Sequence, residues 1–342
     1  MEEFEILVVL DFLEETEHIN RRDKKLLRYC SDPFTLNESE FIKNFRLNKY
    51  VCKTLIEELE PLATHETSIP FTLRFLAALY FFSTGSYQKC VGNNLIAPMS
   101  QSSVSRCIKE ISQLIVDWKG FEVSFPRSYD EITAVKTGFY RQFGIKATLG
   151  AIDCTHVEIV SPPANNRDIY VEAVCDHRLI FTSVNAKFPG SCHDSGIWCT
   201  SPVRAHLRRA ANASDESWLI GDQGYPLEPW LLTPFAGPIG GQQVKYNRIH
   251  AKARNVIERA FGVLKSRFRC LSRQRILYYS HERAAIIIYA CMILHNIIRK
   301  CCPSEDIEVT EIDQEVESLP SNYDCTFHRE GERVRNRYVL SL

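Results

Sequence analysis

The chain has 342 residues, with 41 lysines and arginines against 42 aspartates and glutamates, and 45% of its residues are hydrophobic. This composition is typical of a globular protein, and a net charge of −1 excludes a uniformly basic surface. The acidic N-terminus and its short apolar run predict neither a signal peptide nor a membrane span. Thirteen scattered cysteines predict reduced thiols; a zinc site of Cys192, His193 and Cys199 is a weaker alternative.

The N-terminal third of the chain is predicted to be helical. Residues 1–36 are predicted to be a variable leader and residues 37–146 a helical region. Residues 86–116 suggest a short helix, a turn and a second helix that begins near Ser100, which is the layout of a helix-turn-helix. An apolar stripe would face inward on the second helix and leave Arg106 exposed as a DNA contact. An ordinary pair of helices with a solvated face is the alternative.

Strand patterns begin near residue 148 and alternate with helices. The predicted strands are Thr148–Val160, Asp168–Cys175, Leu179–Lys187 and Ser217–Gly221. The predicted helices on either side of them include Tyr129–Phe143, Lys252–Phe268, which carries Glu258, and Glu282–Ile298. These elements predict an α/β fold with a mixed sheet flanked by helices over residues 147–300. The acidic residues 301–342 are predicted to be a poorly ordered tail.

Three acidic residues in this region suggest a metal site. Asp153 and Asp222 each end an apolar run, and Glu258 lies in a basic amphipathic helix. Carboxylates brought together from strand ends and a helix can hold hard divalent cations such as Mg²⁺ or Mn²⁺, and two such ions can cleave phosphodiesters. The alternative is that Glu258 forms an ordinary pair with Arg254 on a solvated helix face.

Local charge favours a polyanionic substrate. Between Lys245 and Arg275 there are ten lysines and arginines and a single acidic residue. Such a concentration of positive charge predicts a phosphate-binding track beside the acidic pocket. The predicted DNA contacts in this segment are Lys252, Arg254, Arg259, Lys265 and Arg267.

Four motifs, in order, closely resemble those of the PIF/Harbinger-type DDE transposase family, which includes nucleases derived from these transposases. They are Gly150–His156, Phe188–Ser195, Gly221–Pro226 and Ile257–Leu271. The resemblance covers residues 71–299 and implies an RNase H-like fold in which Asp153, Asp222 and Glu258 form the catalytic, metal-binding triad. It also implies that Asp194 is a further metal ligand. Spacing alone would make Asp194 a helix N-cap, and that alternative stays open.

The same resemblance implies a function. It predicts a DNA endonuclease, a hydrolase that carries out phosphodiester hydrolysis or strand transfer with two divalent metal ions. It further implies a Myb/SANT-like DNA-binding partner, and a location in the nucleus and cytoplasm, with no membrane association. Residues 161–168 are shorter than the corresponding family loop, which favours a catalytically inactive DNA-binding adaptor as the alternative. An RNase H-like enzyme that acts on RNA is a third hypothesis.

Overall fold

The computed structural model describes residues 22–28, 32–63, 67–94, 96–160, 168–190, 193–210, 216–302 and 327–342. These residues divide into two compact units. The helical unit contains the described residues up to Trp118 together with Phe268–Cys270. The sheet unit contains Lys119–Arg267 and the described residues from Leu271 to Leu342. The shortened segment 161–167 and Cys192 of the zinc alternative lie outside the described residues.

Among its described residues, the helical unit contains a helix at residues 22–28 and five further α-helices. The five are α1 (Glu38–Phe45), α2 (Lys49–Leu59), α3 (Phe71–Thr84), α4 (Gln88–Gly92) and α5 (Gln101–Lys119). Apolar residues lie all around α3, and most of that helix is therefore buried at the centre of the unit. It ends at Gly85, whose φ of 62° is the left-handed conformation that commonly terminates a helix.

Helices α4 and α5 form the helical pair that the sequence predicts. The Ser100 hydroxyl oxygen accepts a hydrogen bond from the Ser103 backbone N–H at 3.2 Å and so caps α5, as expected of serine at this position. Arg106 is exposed on the outer face of α5. The inner stripe is fully buried and consists of Val104, Ile108, Ile111 and Ile115. Two helices therefore lie where the sequence predicts them, and both the helix-turn-helix assignment and DNA binding stay predictions.

The sheet unit is built on one mixed five-stranded sheet, which confirms the predicted fold class. Its strands are β1 (Thr148–Glu158), β2 (Asp168–Cys175), β3 (Phe181–Pro189), β4 (Trp218–Ile220) and β5 (Leu231–Leu232). Their spatial order is β3-β2-β1-β4-β5. β1 pairs antiparallel with β2, and β2 pairs antiparallel with β3, whereas β4 runs parallel to both β1 and β5. β1, which carries Asp153, is therefore the central strand.

Helices pack around this sheet. They are α6 (Tyr129–Phe143), α7 (Asp194–Thr200), α8 (Pro202–Ala210), α9 (Gly240–Arg267), α10 (His281–Cys301) and α11 (His328–Leu340). α6 and α9 contact β1, and α10 contacts β3. By length and composition alone, α10 could cross a membrane. However, 67% of its most apolar stretch of 18 residues is buried inside the fold, as in a core helix. On α9, Ile257, Phe261 and Leu264 are buried, as their spacing predicts.

The C-terminal helix α11 corrects the prediction of a poorly ordered tail for residues 328–340. One of its faces is buried, through Gly331, Arg335, Tyr338 and Val339. The Arg335 guanidinium donates hydrogen bonds to the carbonyls of Thr233 and Pro234, both at 3.1 Å. The helix also contacts β5, the edge strand of the sheet. Arginine and glutamate on its outer face make the segment polar in composition, whereas its stability comes from the inner face.

Replacing Gly331 with alanine is expected to destabilise the docking of α11. A Cβ at this position would lie 2.9–3.0 Å from backbone atoms of Glu228, which cannot move aside as a side-chain end could. The overpacking should cost about 1–3 kcal/mol of unfolding free energy, offset in part by alanine's better helix propensity. Equilibrium urea unfolding measures the change. The control is Gly196→Ala in α7, where a Cβ meets open space, and equal stability of the two variants would contradict the close packing.

Candidate metal centre

β4 is shorter than its neighbour β1, and the candidate site lies beside β1 just past the end of β4. β1 pairs with β4 only as far as Ala151 and Ile220, yet β1 continues to Glu158. Asp153 lies two residues beyond that last pair, and Asp222 lies two residues beyond the end of β4. Side chains at the carboxyl ends of adjacent parallel strands converge, which brings these two aspartates together.

Asp194 joins them from the start of α7. The carboxylate groups of Asp153, Asp194 and Asp222 each offer an oxygen atom, and these oxygens all lie within 4.8 Å of one another. Among the described residues, they form the group of acidic, histidine and cysteine side chains close enough to hold one metal ion. The structure thus brings together three of the four predicted metal ligands.

The carboxylate of Asp153 is largely buried, with the positive charge of Arg254 and the negative charges of Asp194 and Asp222 nearby. Its Oδ1 accepts a hydrogen bond from the Cys154 backbone N–H at 2.9 Å, and its Oδ2 lies 3.3 Å from Nη1 of Arg254. Burial raises the pKa of Asp153 to about 7; Arg254 opposes this shift, while Asp222 and Asp194 add to it. A carboxyl group with this pKa exchanges its proton for a cation near neutral pH.

The other two aspartates are also held by specific hydrogen bonds. Asp222 Oδ1 accepts from the Gly224 backbone N–H at 2.9 Å, and Asp194 Oδ1 accepts from the Tyr170 hydroxyl at 2.5 Å. Burial raises the pKa of Asp194, and hydrogen bonds from Tyr170 and Cys154 partly oppose the shift. The N-cap of α7 is His193, and Asp194 is the first helical residue. The N-cap alternative for Asp194 is therefore wrong.

Glu258 lies outside this group of three but is connected to it through Arg254. The Arg254 guanidinium donates to Asp153 with one nitrogen and to Glu258 with another. The Arg254–Glu258 pair of the alternative hypothesis is present, but only 24% and 11% of these side chains are exposed, so it does not lie on a solvated helix face. The role of Glu258 as a metal ligand stays a prediction.

The predicted DNA contacts differ widely in exposure. Lys252 and Arg259 are exposed on α9. Lys265 is half-buried and donates to the carbonyl of His156 at 3.0 Å. Arg267 is only 1% exposed, and the prediction that it contacts DNA is wrong. It lies three residues after buried Leu264, on the inward stripe of the helix. Burial lowers the pKa of His295 to about 3, and the nearby charge of Arg267 adds to this shift.

A groove of about 420 Å³ lies between α6 and α9. Lys252, Asn255 and Arg259 line it from α9, and Gln142 lines it from α6. Successive α-helical residues are about 100° apart, so Lys252 and Arg259 lie on a different face of α9 from Arg254. The positive charge of this helix is therefore divided between the groove and the acidic site.

Two features behind the site were not predicted from the sequence. One is Tyr170 on β2, which binds Asp194. The other is Glu228, which is 1% exposed and accepts hydrogen bonds from the indole N–H groups of Trp198 and Trp230 at 2.9 and 2.6 Å. Arg204 also binds the Glu228 carboxylate, at 2.6 Å. Buried indole N–H groups need acceptors, so the tryptophans were a signal that a polar partner lay nearby.

The three aspartates suit a hard divalent cation. Mg²⁺ and Mn²⁺ prefer carboxylate oxygens, which is the donor set present here. Three carboxylates so close together repel one another, and Arg254 balances only part of their charge. A cation bound by them would remove that repulsion, which accounts for a cluster that otherwise costs stability.

Comparisons with known proteins agree with this geometry. Residues 152–296, which contain all four predicted acidic ligands, match the family described as DDE superfamily endonuclease. The chain is 34% identical over 333 residues to the Bos taurus protein named "Putative nuclease HARBI1", with 93% of each chain covered. The Homo sapiens protein of that name is 33% identical over 286 residues, or 80% of each chain.

A plant protein is more distant. "Protein ALP1-like" of Arabidopsis thaliana is 29% identical over 248 residues, which cover 66% of this chain and 60% of the plant protein. No solved structure matches the chain. With a third of its residues identical across 93% of its length to a relative of this kind, the chain belongs to the Harbinger transposase-derived family of DDE superfamily endonucleases.

Proposed function

We propose that the protein is a divalent-metal-dependent DNA endonuclease that carries out phosphodiester hydrolysis or strand transfer by a two-metal mechanism. The observation that supports this proposal most directly is the convergence of three aspartate oxygens within 4.8 Å beside β1, just past the end of β4. These aspartates lie in the segment that matches the DDE endonuclease family.

Each acidic residue has a role in this proposal. Mg²⁺ or Mn²⁺ would be held by Asp153, Asp194 and Asp222. Glu258 would complete the site for a second metal ion, on the other side of Arg254. When bound, such cations supply an acidified water and stabilise charge on the leaving oxygen. Arg254 keeps Asp153 on β1 and Glu258 on α9 close together, because one guanidinium binds both. The Gly224 N–H fixes the orientation of Asp222.

Cleavage of supercoiled plasmid tests the proposal. Purified protein should convert supercoiled DNA to nicked or linear DNA in Mg²⁺ or Mn²⁺ and should be inactive in EDTA. An excess of single-stranded or duplex RNA should compete poorly, whereas strong competition followed by RNA cleavage would favour the RNase hypothesis. Tight DNA binding without cleavage in either metal would refute the nuclease and favour the adaptor.

Lys252 and Arg259 are expected to bind DNA phosphates away from the site of cleavage. Replacing both with alanine should reduce the slope of log affinity against log salt by about 2 and weaken binding to all sequences alike. Fluorescence anisotropy at several salt concentrations measures the slope. Cleavage at saturating DNA should change little, because these side chains lie on another face of α9 from Arg254. The charge-matched control removes the exposed Arg329 and Arg333 of α11, and an equal slope change there would contradict a specific role for the groove.

We also propose, from the family resemblance, that the protein works with DNA and a Myb/SANT-like DNA-binding partner in the nucleus and cytoplasm. Co-precipitation of this chain with such a partner, after nuclease treatment to remove bridging DNA, tests the interaction. Fluorescence microscopy of the tagged chain with and without the partner tests the location. In the family resemblance the partner also supplies nuclear import, and a distribution that is the same under both conditions would contradict that role.

A further inference from the structure

One oxygen of Asp194 is bound by a buried tyrosine, and the other faces the acidic cluster. The Tyr170 hydroxyl donates to Asp194 Oδ1 at 2.5 Å. On the other side, a Cβ atom added to Gly224 would lie 3.4 Å from Asp194 Oδ2 and 3.1 Å from Asp222 Oδ1. Oδ2 therefore lies near Asp222, while Oδ1 is occupied by the hydroxyl.

Tyr170 is itself held firmly. It lies on β2, directly across from His156 of β1 in the antiparallel register, and is 4% exposed. The two rings pack with their centroids 4.3 Å apart. Because the ring is fixed by the sheet and its neighbour, the hydroxyl is presented at one place in the site. A rigid donor of this kind can select one rotamer of the carboxylate that it binds.

The element that carries Asp194 provides little positioning of its own. α7 has only seven residues, and its N-cap, His193, makes no side-chain capping hydrogen bond. Asp194 is the first residue of this helix and is 5% exposed. The Asp194 carboxylate is bound from outside the helix, by the Tyr170 hydroxyl and by the Cys154 thiol.

We propose that Tyr170 is the positioning residue that orients the Asp194 carboxylate for the divalent cation that the three aspartates would hold. This inference rests on the proposed function, since it requires a cation at the three aspartates. Tyr170 does not contact the cation in this arrangement. It holds Oδ1, which leaves Oδ2 on the side of Gly224 and Asp222.

Mn²⁺ binding provides a test that does not depend on catalysis. Tyr170→Phe keeps the ring and removes only the hydroxyl. Because partners that orient a metal ligand typically contribute 10–100-fold to affinity, its Kd for Mn²⁺, measured by electron paramagnetic resonance of the free ion, should rise by about that factor. Tyr246→Phe is the control: it removes another buried hydroxyl, which donates to the carbonyl of Thr233 at 3.2 Å, and its Kd should stay within about twofold of wild type.

A double-mutant cycle with Asp194→Asn separates positioning from general structure. If Tyr170 acts through Asp194, Tyr170→Phe should weaken binding in the wild-type background and add little to Asp194→Asn. An equal additional loss in both backgrounds would show that the hydroxyl supports the fold rather than Asp194. Unchanged affinity of Tyr170→Phe would overturn the role of Tyr170 alone. Absence of Mn²⁺ binding by the wild-type protein would overturn the proposed function itself.

Discussion

Replacing Asp153 with asparagine is expected to reduce metal-dependent plasmid cleavage about a thousandfold while leaving DNA binding intact. Asp153 lies on the central strand, and its carboxylate also contacts Arg254. Its loss removes a ligand and a negative charge from the cation site. A metal ion supplies several kcal/mol of transition-state stabilisation, and each 1.36 kcal/mol corresponds to about tenfold in rate.

The control for this variant is Asp130→Asn, an equally conservative change at an exposed position on α6. It should cleave plasmid at the wild-type rate. DNA affinity of all three proteins, measured by anisotropy in EDTA, should agree within about twofold because no predicted phosphate contact is altered. Equal cleavage by wild type and Asp153→Asn would remove Asp153 from the site and, with it, the assignment of the aspartate group.

The same carboxyl group should make metal binding depend on pH. Its pKa is about 7, and only the deprotonated form binds a cation. Below that pH a proton competes with the metal, so Mn²⁺ affinity should fall by up to about tenfold for each pH unit. Above pH 7 the affinity should level off. Calorimetric titrations at pH 6 and pH 8 measure the change, and equal affinities would contradict the raised pKa of Asp153.

Removing Glu228 is expected to cause the largest loss of stability. Its carboxylate binds the indole N–H groups of Trp198 and Trp230 as well as Arg204, and it is almost completely buried. Glu228→Ala would remove one carboxylate of a buried ion pair with Arg204, which typically costs about 3–5 kcal/mol. Urea unfolding followed by tryptophan fluorescence measures the loss. Trp198 lies four residues after Asp194, so metal binding should weaken as well.

Two variants provide comparisons for this loss. Glu228→Gln keeps the shape and one acceptor oxygen, and should lose only about 1–3 kcal/mol. Arg337→Ala breaks an ion pair with Glu216 in which both side chains are more than half exposed, and should lose at most about 1 kcal/mol. If Glu228→Ala proved no less stable than Arg337→Ala, the network around Glu228 would not be a structural centre of the sheet unit.

Regular patterns in the sequence were sufficient to predict most of the sheet unit. β2 and α6 have the predicted bounds because alternation and helical spacing are strong in both. β5 was missed because it consists of only Leu231 and Leu232, within a segment rich in proline and glycine. α9 begins at Gly240, well before its predicted start. The start was predicted too late because the helix begins with two glycines, which have a low helix propensity.

The site was less predictable because its contacts depend on tertiary packing. Helical spacing predicts that Arg254 and Glu258 can meet, but not that Arg254 also reaches Asp153 on a strand 101 residues earlier. The resemblance supplied Asp194, and no pattern pointed to Tyr170. Arg267 was misjudged by its charge, although its spacing from Leu264 placed it on the buried stripe.

The position of α11 has a consequence for how the catalytic region can be isolated. The segment that matches the family ends at residue 296, yet α11 lies against β5, and Tyr338 accepts a hydrogen bond from the backbone just before β1. A fragment that stops at the family boundary would leave a strand edge and the side chains of Trp218 and Tyr246 uncovered. Such unprotected edges promote self-association, and recombinant fragments should therefore retain the last sixteen residues, 327–342.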